Sequence, residues 1–537
     1  MRTAPRILRR MTCTPHNDEP DIDINLLPER QRLLIKLVED IRQCRPPMVF
    51  GVHGDWGAGK TSFLQAVMYA LTGKCPRQSE LKAEDKLAKK KPTERQKQLA
   101  KWHENPPHAV WFEAWRYQNE TAPVVALLHQ LRESLSWSET PAAKLKQKAS
   151  AGWSIMRKNL LLALDSITLK IEGEASLPLV AKGKVGAGFS PFHLSKARQE
   201  SAAERHSTPL PSNQIRDALD SILANLLGNG SDKEMPAPDQ RVVIFIDDLD
   251  RCAATAMFSL LESIKIYLNL RHCVFVLGIN RHEVERGIIS VLPEAPSEDQ
   301  RQVRSHEYIE KLCGNIVRLP YPGVEAQRLM LRAWLHLETS QHGNAFLETV
   351  GELSVKFSVL PQNPRRIKMW CNTVLLMYEH RAKKLRPPLP NGTYEPPDSV
   401  EAAALVLMAC LYTFYPVLHQ AMAACENASF LLTLKGWCYA DMDFDLAIFD
   451  GVKRVFAKPA LIRQIVANPK AGPNAELLRR VYLQAAAQTD DRSPEPAPET
   501  ALPLLTDPSS LSYFHPQRLV AEESITEAQI KPYLHLD

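Results

Sequence analysis

The sequence has no Cys-x-x-Cys pair and no cysteine–histidine cluster at zinc spacing, although it contains ten cysteines. Scattered in this way, they read as free thiols of a reducing compartment, which places the chain in the cytoplasm and excludes a disulfide framework or a zinc module. A dominant charge is also missing. The 66 Lys+Arg against 61 Asp+Glu leave +5 over 537 residues, too little to mark a nucleic-acid-binding protein by itself. No apolar stretch follows the basic residues 1–10, so a secretory signal is excluded, and the leader reads either as an organellar presequence or as a disordered lead-in. One run, residues 402–424, lacks charge and is about long enough to span a bilayer. Thr413, Pro416, His419 and Gln420 interrupt it and basic anchors are missing at both ends, so it reads as a buried core helix. The 45% hydrophobic content permits large cores in about two to four domains.

What is present centres on Gly54-Asp-Trp-Gly-Ala-Gly-Lys-Thr-Ser62. An apolar run, 48–52, opens into it and an amphipathic run, 62–71, leaves it, so strand, loop and helix occur in the order a Walker A phosphate loop requires. Phosphate oxygens need several backbone N–H donors converging on them and the positive end of a helix behind. Gly54, Gly57 and Gly59 let the backbone approach, with Asp55, Trp56 and Ala58 between them. Lys60 brings a cation to the beta and gamma phosphates, Thr61 offers a hydroxyl to Mg²⁺, and Ser62 reaches the alpha phosphate.

Arg241-Val-Val-Ile-Phe-Ile-Asp-Asp-Leu-Asp-Arg-Cys252 fits a Walker B strand, whose β-branched and aromatic run is buried on both faces. Asp247 at its end is placed to hold Mg²⁺ beside Thr61, and Asp248, one residue on, to polarise the attacking water. Asp250 and Arg251 fall on the following turn. Residues 108–112, ending at Glu113, and residues 272–279, ending at Asn280, read as further buried strands, and 314–320 as one more. Strands alternating with helical segments predict an α/β fold with a doubly wound, mainly parallel sheet and nucleotide over the strand C-termini.

This reading divides the chain into a leader and helix (1–45), a nucleotide-binding core (46–325), an all-α domain (326–487) and a Pro-rich linker and tail (488–537). The core has insertions near 74–105 and 137–236. The first insertion carries Lys89-Lys-Lys91, which is either a solvated face or a contact for phosphate backbone or acidic lipid. The stretch 160–171 reads as an apolar patch and a short hairpin, and Gly183-Lys-Val-Gly-Ala-Gly188 as a flexible turn. Gln362-Asn-Pro-Arg-Arg-Ile-Lys368 opens a helix. Successive helical residues diverge by about 100°, so one of Arg365 and Arg366 is expected to face the phosphates and the other to pack elsewhere.

The co-linear set of Gly54–Ser62, Phe112-Glu-Ala-Trp-Arg-Tyr117, Asp247-Asp-Leu-Asp-Arg-Cys252, Tyr308-Ile-Glu-Lys311 with Arg318-Leu-Pro320, and Asn363-Pro-Arg-Arg-Ile-Lys368 resembles the KAP family of P-loop NTPases over roughly residues 20–420. The resemblance implies the additional-strand class of P-loop fold, in which the second strand borders the Walker B strand and brings Glu113 near Asp247 and Asp248. Many members insert transmembrane helices between Walker A and Walker B; this chain shows no such pair. Glu113 stands where the family usually has Asn, and Asn280 where an Asp is common, so the shell that positions water differs here. Bacterial relatives resemble components of phage-exclusion and anti-phage systems, among them the ATPase subunit of the Qat system.

Three functions follow as expectations. The first is a Mg²⁺-dependent ATPase whose nucleotide cycle switches a multi-protein complex, as a homo- or hetero-oligomer. The second is a nucleotide-binding scaffold with negligible turnover, and the third a nucleic-acid motor using the basic insertion. No Asn-Lys-x-Asp guanine reader occurs, which favours ATP over GTP.

Overall fold

The computed structural model describes residues 28–74, 101–120, 123–137, 211–227, 235–267, 269–291, 298–335, 337, 345–357, 359–384, 399–414, 416–426 and 525–535. The readings made for the leader before residue 28, for Lys89–Lys91, for 160–188 and for the Pro-rich linker lie outside these residues. The chain forms two compact units, one of Glu29–Pro320 and one from Tyr321 onward.

The first unit is built on β1 (Met48–His53), β2 (His108–Glu113), β3 (Val242–Asp247), β4 (Cys273–Ile279) and β5 (Asn315–Arg318). They form one sheet in the order β2-β3-β4-β1-β5 with every pairing parallel. β4 therefore lies between the strand leading to the phosphate loop and the strand ending in Asp247, the arrangement of the additional-strand class. The period-2 alternation of a strand decides what each face buries. Along β3, Val243 and Phe245 pack with one cluster while Val242, Ile244 and Ile246 pack with the other.

On the first face lie α1 (Pro28–Gln43), through Leu34, Leu37, Val38 and Ile41, and α2 (Lys60–Thr72), through Phe63, Leu64, Val67 and Leu71. On the second lie α3 (Pro123–Trp137), α4 (Pro211–Leu227), α5 (Ala254–Tyr267) and α6 (Arg281–Val291). α7 (Glu298–Leu312) joins that face, its Tyr308 donating a 2.5 Å hydrogen bond to Glu262 of α5. The fully buried Arg241 ends α1: its guanidinium donates to the carbonyls of Ile41 and Arg42 at 3.0 and 2.9 Å, satisfying oxygens that a helix C-terminus leaves open.

The elements described in the second unit are all helices. Its core joins α8 (Val324–Trp334), α9 (Ala345–Lys356), α10 (Pro364–Lys384), α11 (Ser399–Phe414) and α12 (Pro416–Ala424). α11 is buried all round, residues 402–411 each being 1% exposed or less, which explains why this stretch is apolar on every face. Pro416 opens the next helix, which exposes Pro416 and Gln420 and buries His419 and Met422, so the charge-free run is two helices, and no helix among the described residues is long and apolar enough to cross a membrane. The C-terminal residues Ile525, Ile530, Tyr533 and Leu534, around α13 (Glu527–Ile530), complete this core, and His419 Nε2 donates to the Tyr533 carbonyl at 3.0 Å. Tyr533 is thus buried in this core.

Candidate functional site

The C-terminal ends of β1, β2, β3 and β4 bring the site together. After β1 the chain turns through Gly57 (φ 76°) and Gly59 (φ 84°), left-handed conformations that disfavour a side chain, and enters α2 at Lys60. Space is equally tight at Gly54, where a Cβ would lie 3.2 Å from that of Ala58. The first N–H groups of α2, from Lys60 to Ser62, have no carbonyl in their own helix to bond, so they are free to cradle an anion.

Lys60 is buried and its ammonium is held on three sides, by the carbonyls of Gly54 at 2.9 Å and Asp55 at 3.4 Å and by Asp250 Oδ2 at 3.1 Å. Trp56, exposed in the same loop, donates its indole N–H to that Asp250 oxygen at 3.1 Å. Arg30 reaches the loop from α1. It donates to the Pro320 carbonyl at 3.0 and 3.3 Å, its Nη1 lies 3.0 Å from where a Gly59 Cβ would be, and burial holds its guanidinium down to about 10.

Asp247 ends β3 at 2% exposure and accepts from the Thr61 side chain. Its Oδ1 has no hydrogen-bond partner, and it lies 3.0 Å from where a Cβ on Gly278 would be. A buried carboxylate oxygen left open beside a threonine hydroxyl fits a hard divalent cation such as Mg²⁺. Burial pushes this carboxyl up to about 6, with the Asp248 charge adding to the rise and Thr61 opposing it. Because the folded value lies above the unfolded one near 3.8, the stability that protonation contributes is complete below 3.8 and is lost as pH rises through about 6. In a chelating buffer, the thermal midpoint of the wild type should fall relative to Asp247→Asn across that window, and added Mg²⁺ should reverse the fall at its upper end. Parallel midpoints would count against this placement of Asp247.

Two carboxylates follow the same local plan. Glu113 ends β2 opposite Asp247 in the parallel register, and Asp248 follows β3. Each begins a single 3-10 turn, 114–117 and 249–251, and residues three apart eclipse in such a turn. Glu113 accordingly pairs with Arg116, and Asp248 with Arg251 Nε at 2.8 Å. Asp248 is itself left-handed (φ 54°), which aims its side chain differently from that of Asp247. Burial raises the Asp248 carboxyl; Arg251 opposes this while the Asp250 and Glu113 charges add to it. Asn280 closes the group at the end of β4, 8% exposed and with its Oδ1 unpartnered. His53 Nδ1 accepts from the next backbone N–H, that of Arg281, at 3.1 Å and ties the end of β1 to the start of α6.

The structure thus brings together Gly54 to Ser62, Glu113, Asp247, Asp248 and Asn280. Arg365 and Arg366 belong to the helical unit, at the start of α10. There the Asn363 side chain caps the helix by accepting from the Arg366 N–H at 3.3 Å, and the Arg366 guanidinium lies 5.2 Å from the Phe414 ring centre. Sequence reasoning missed Arg30, His53 and the contacts of Asp250. The only sequence signal for Arg30 is an arginine on the same helical stripe as Leu34, Leu37, Val38 and Ile41, and for Asp250 a third acid after a strand that already offers two. Among the described residues no cluster of three or more His, Cys, Asp or Glu forms a metal site of its own.

A family model described as the KAP family P-loop domain matches residues 31–381 of the 537. An uncharacterized protein of Methanocaldococcus jannaschii is 24% identical over 184 residues, which is 32% of this chain and 90% of that protein. Among solved structures, the Aeropyrum pernix ORC2 protein in ADPNP–ADP complexes aligns over 93% of this chain and 94% of its own, at 9% identity and a TM-score of 0.30.

Proposed function

Because this chain belongs to the KAP family of P-loop NTPases, we propose that it binds Mg·ATP at the 54–62 loop and hydrolyses it, and that the cycle drives a conformational switch in a multi-protein complex. The observation that carries the proposal is the convergence of Lys60, the open Asp247 oxygen, Asp248 and Asn280 at the ends of three neighbouring strands.

In this reading the backbone of Gly57 to Thr61 and the Lys60 ammonium hold the phosphates. Thr61 and Asp247 would hold Mg²⁺, which when bound neutralises charge developing on the phosphates. Asp248 takes the proton of the attacking water on its carboxylate, Asn280 orients that water or the gamma phosphate through its amide, and Glu113 sets the charge beside Asp248. Steady-state phosphate release by the purified chain tests the proposal: turnover slowed at least about a hundredfold by Asp248→Asn supports it, while tight ATP binding with negligible turnover favours the scaffold reading.

The setting we propose, a defence complex, rests on the likeness to bacterial members of the family. On sequence grounds we assign the report of nucleotide state to one of Arg365 and Arg366. One of Arg365→Ala and Arg366→Ala should keep ATP affinity within about tenfold yet lose the difference between ATP and ADP states in limited proteolysis or hydrogen exchange across residues 326–485. Retention of that difference in both variants would remove the coupling role.

A further inference from the structure

We infer that Asp250 is a positioning residue that acts through Lys60, holding its ammonium against the pull of the phosphates and so setting nucleotide affinity, with Trp56 as its second tether. The inference rests on the nucleotide-binding reading of the loop.

An ammonium has three N–H donors, and here all three are committed: to Gly54, to Asp55 and to Asp250. Serving a phosphate oxygen requires that one be released or shared. Of the three acceptors only Asp250 is a carboxylate, and its side chain is 1% exposed. Solvent therefore screens little of its attraction for Lys60 or of its repulsion of an arriving phosphate. A Lys60 shared between two anions gives less to each. The Coulomb cost of bringing phosphate near Asp250 remains whichever hydrogen bond is released.

The Trp56 N–H draws on the same oxygen, Oδ2, that Lys60 uses. It relieves the carboxylate's need for Lys60, so the two donors compete for one acceptor. When phosphate draws the ammonium away, Oδ2 turns more fully to the indole, and the exposed Trp56 ring should register this in its emission. Asp250 also follows Asp248 within two residues on a tight 3-10 turn, so the same release is passed to the turn that aims Asp248.

The test uses the full chain and Mg·ATP as the probe. Asp250→Asn keeps an oxygen for both donors but removes the charge; trading a charge-assisted hydrogen bond for a neutral one should tighten Mg·ATP binding about tenfold. Trp56→Phe removes the competing donor and should weaken binding by about threefold, leaving Asp250 more fully on Lys60. The emission of Trp56, taken as the difference between the wild type and Trp56→Phe, should change on adding Mg·ATP, and the change should be reduced in the Asp250→Asn background. Unchanged or weaker binding by Asp250→Asn overturns the inference, and so does tighter binding by Trp56→Phe, a variant of an exposed side chain that should fold in any case. A wild-type chain that binds no Mg·ATP overturns the loop's assignment as well, which separates the two failures.

Discussion

Lys60→Ala is expected to weaken Mg·ATP binding by at least about a hundredfold, because two lost charge-assisted hydrogen bonds at about 1.5–3 kcal/mol each exceed the 2.7 kcal/mol that a hundredfold represents. The loop supplies no replacement: its other residues, Gly54 to Ala58, Gly59, Thr61 and Ser62, carry no cation. Arg30, which approaches the loop at Gly59, is held by the Pro320 carbonyl through Nε and Nη2. The variant also strips Asp250 of its ion-pair partner and leaves a buried carboxylate facing only the Trp56 N–H, which should lower stability. The double variant Lys60→Ala with Asp250→Asn separates the two effects. It should regain thermal stability and still fail to bind labelled ATP. If the single variant binds ATP like the wild type, the loop does not hold the phosphates through Lys60.

Asp248→Asn is expected to keep Mg·ATP affinity and slow turnover by at least about a hundredfold, the usual scale for removing a general base. Asn is nearly isosteric with Asp and tolerates the left-handed conformation at φ 54°, so the turn should survive the change. The acid limb of the turnover–pH profile should lose the contribution of Asp248, whose carboxyl burial raises above the ordinary range, and keep that of Asp247, which must also be ionised to hold Mg²⁺. Asp247→Asn should fail differently, losing Mg²⁺ dependence and turnover together, because its open oxygen is buried beside Thr61. Small and equal effects of the two substitutions would favour a binding switch without hydrolysis.

How far the sequence carried this picture depended on which physical signal each element leaves. Strands buried on both faces read as unbroken apolar runs, and β1, β3 and β4 lie where such runs occur. The order of the strands is a matter of long-range pairing that periodicity does not encode; it was legible only through the resemblance, which placed β2 beside β3 and Glu113 beside Asp247. Residues 402–411 gave the run 402–424 the look of a membrane span because a helix segment buried all round by its neighbours has the same composition as one buried by lipid. At the site, spacing separated the roles expected of Asp247 and Asp248 but was silent on Asp250. The Lys60–Asp250 pair joins residues 190 apart, and the 3-10 turn that sends Asp248 to Arg251 and leaves Asp250 to Lys60 is a local geometry that side-chain type alone does not announce.

Where the phosphates of ATP are held decides every role assigned to the 54–62 loop, and amide hydrogen exchange of the full chain with and without Mg·ATP reads that site by site. Protection should rise at the backbone N–H groups from Gly57 to Ser62 and at the 247–251 turn, and these gains should vanish in Lys60→Ala. Bound ATP with exchange at Gly57 to Ser62 unchanged would contradict those roles.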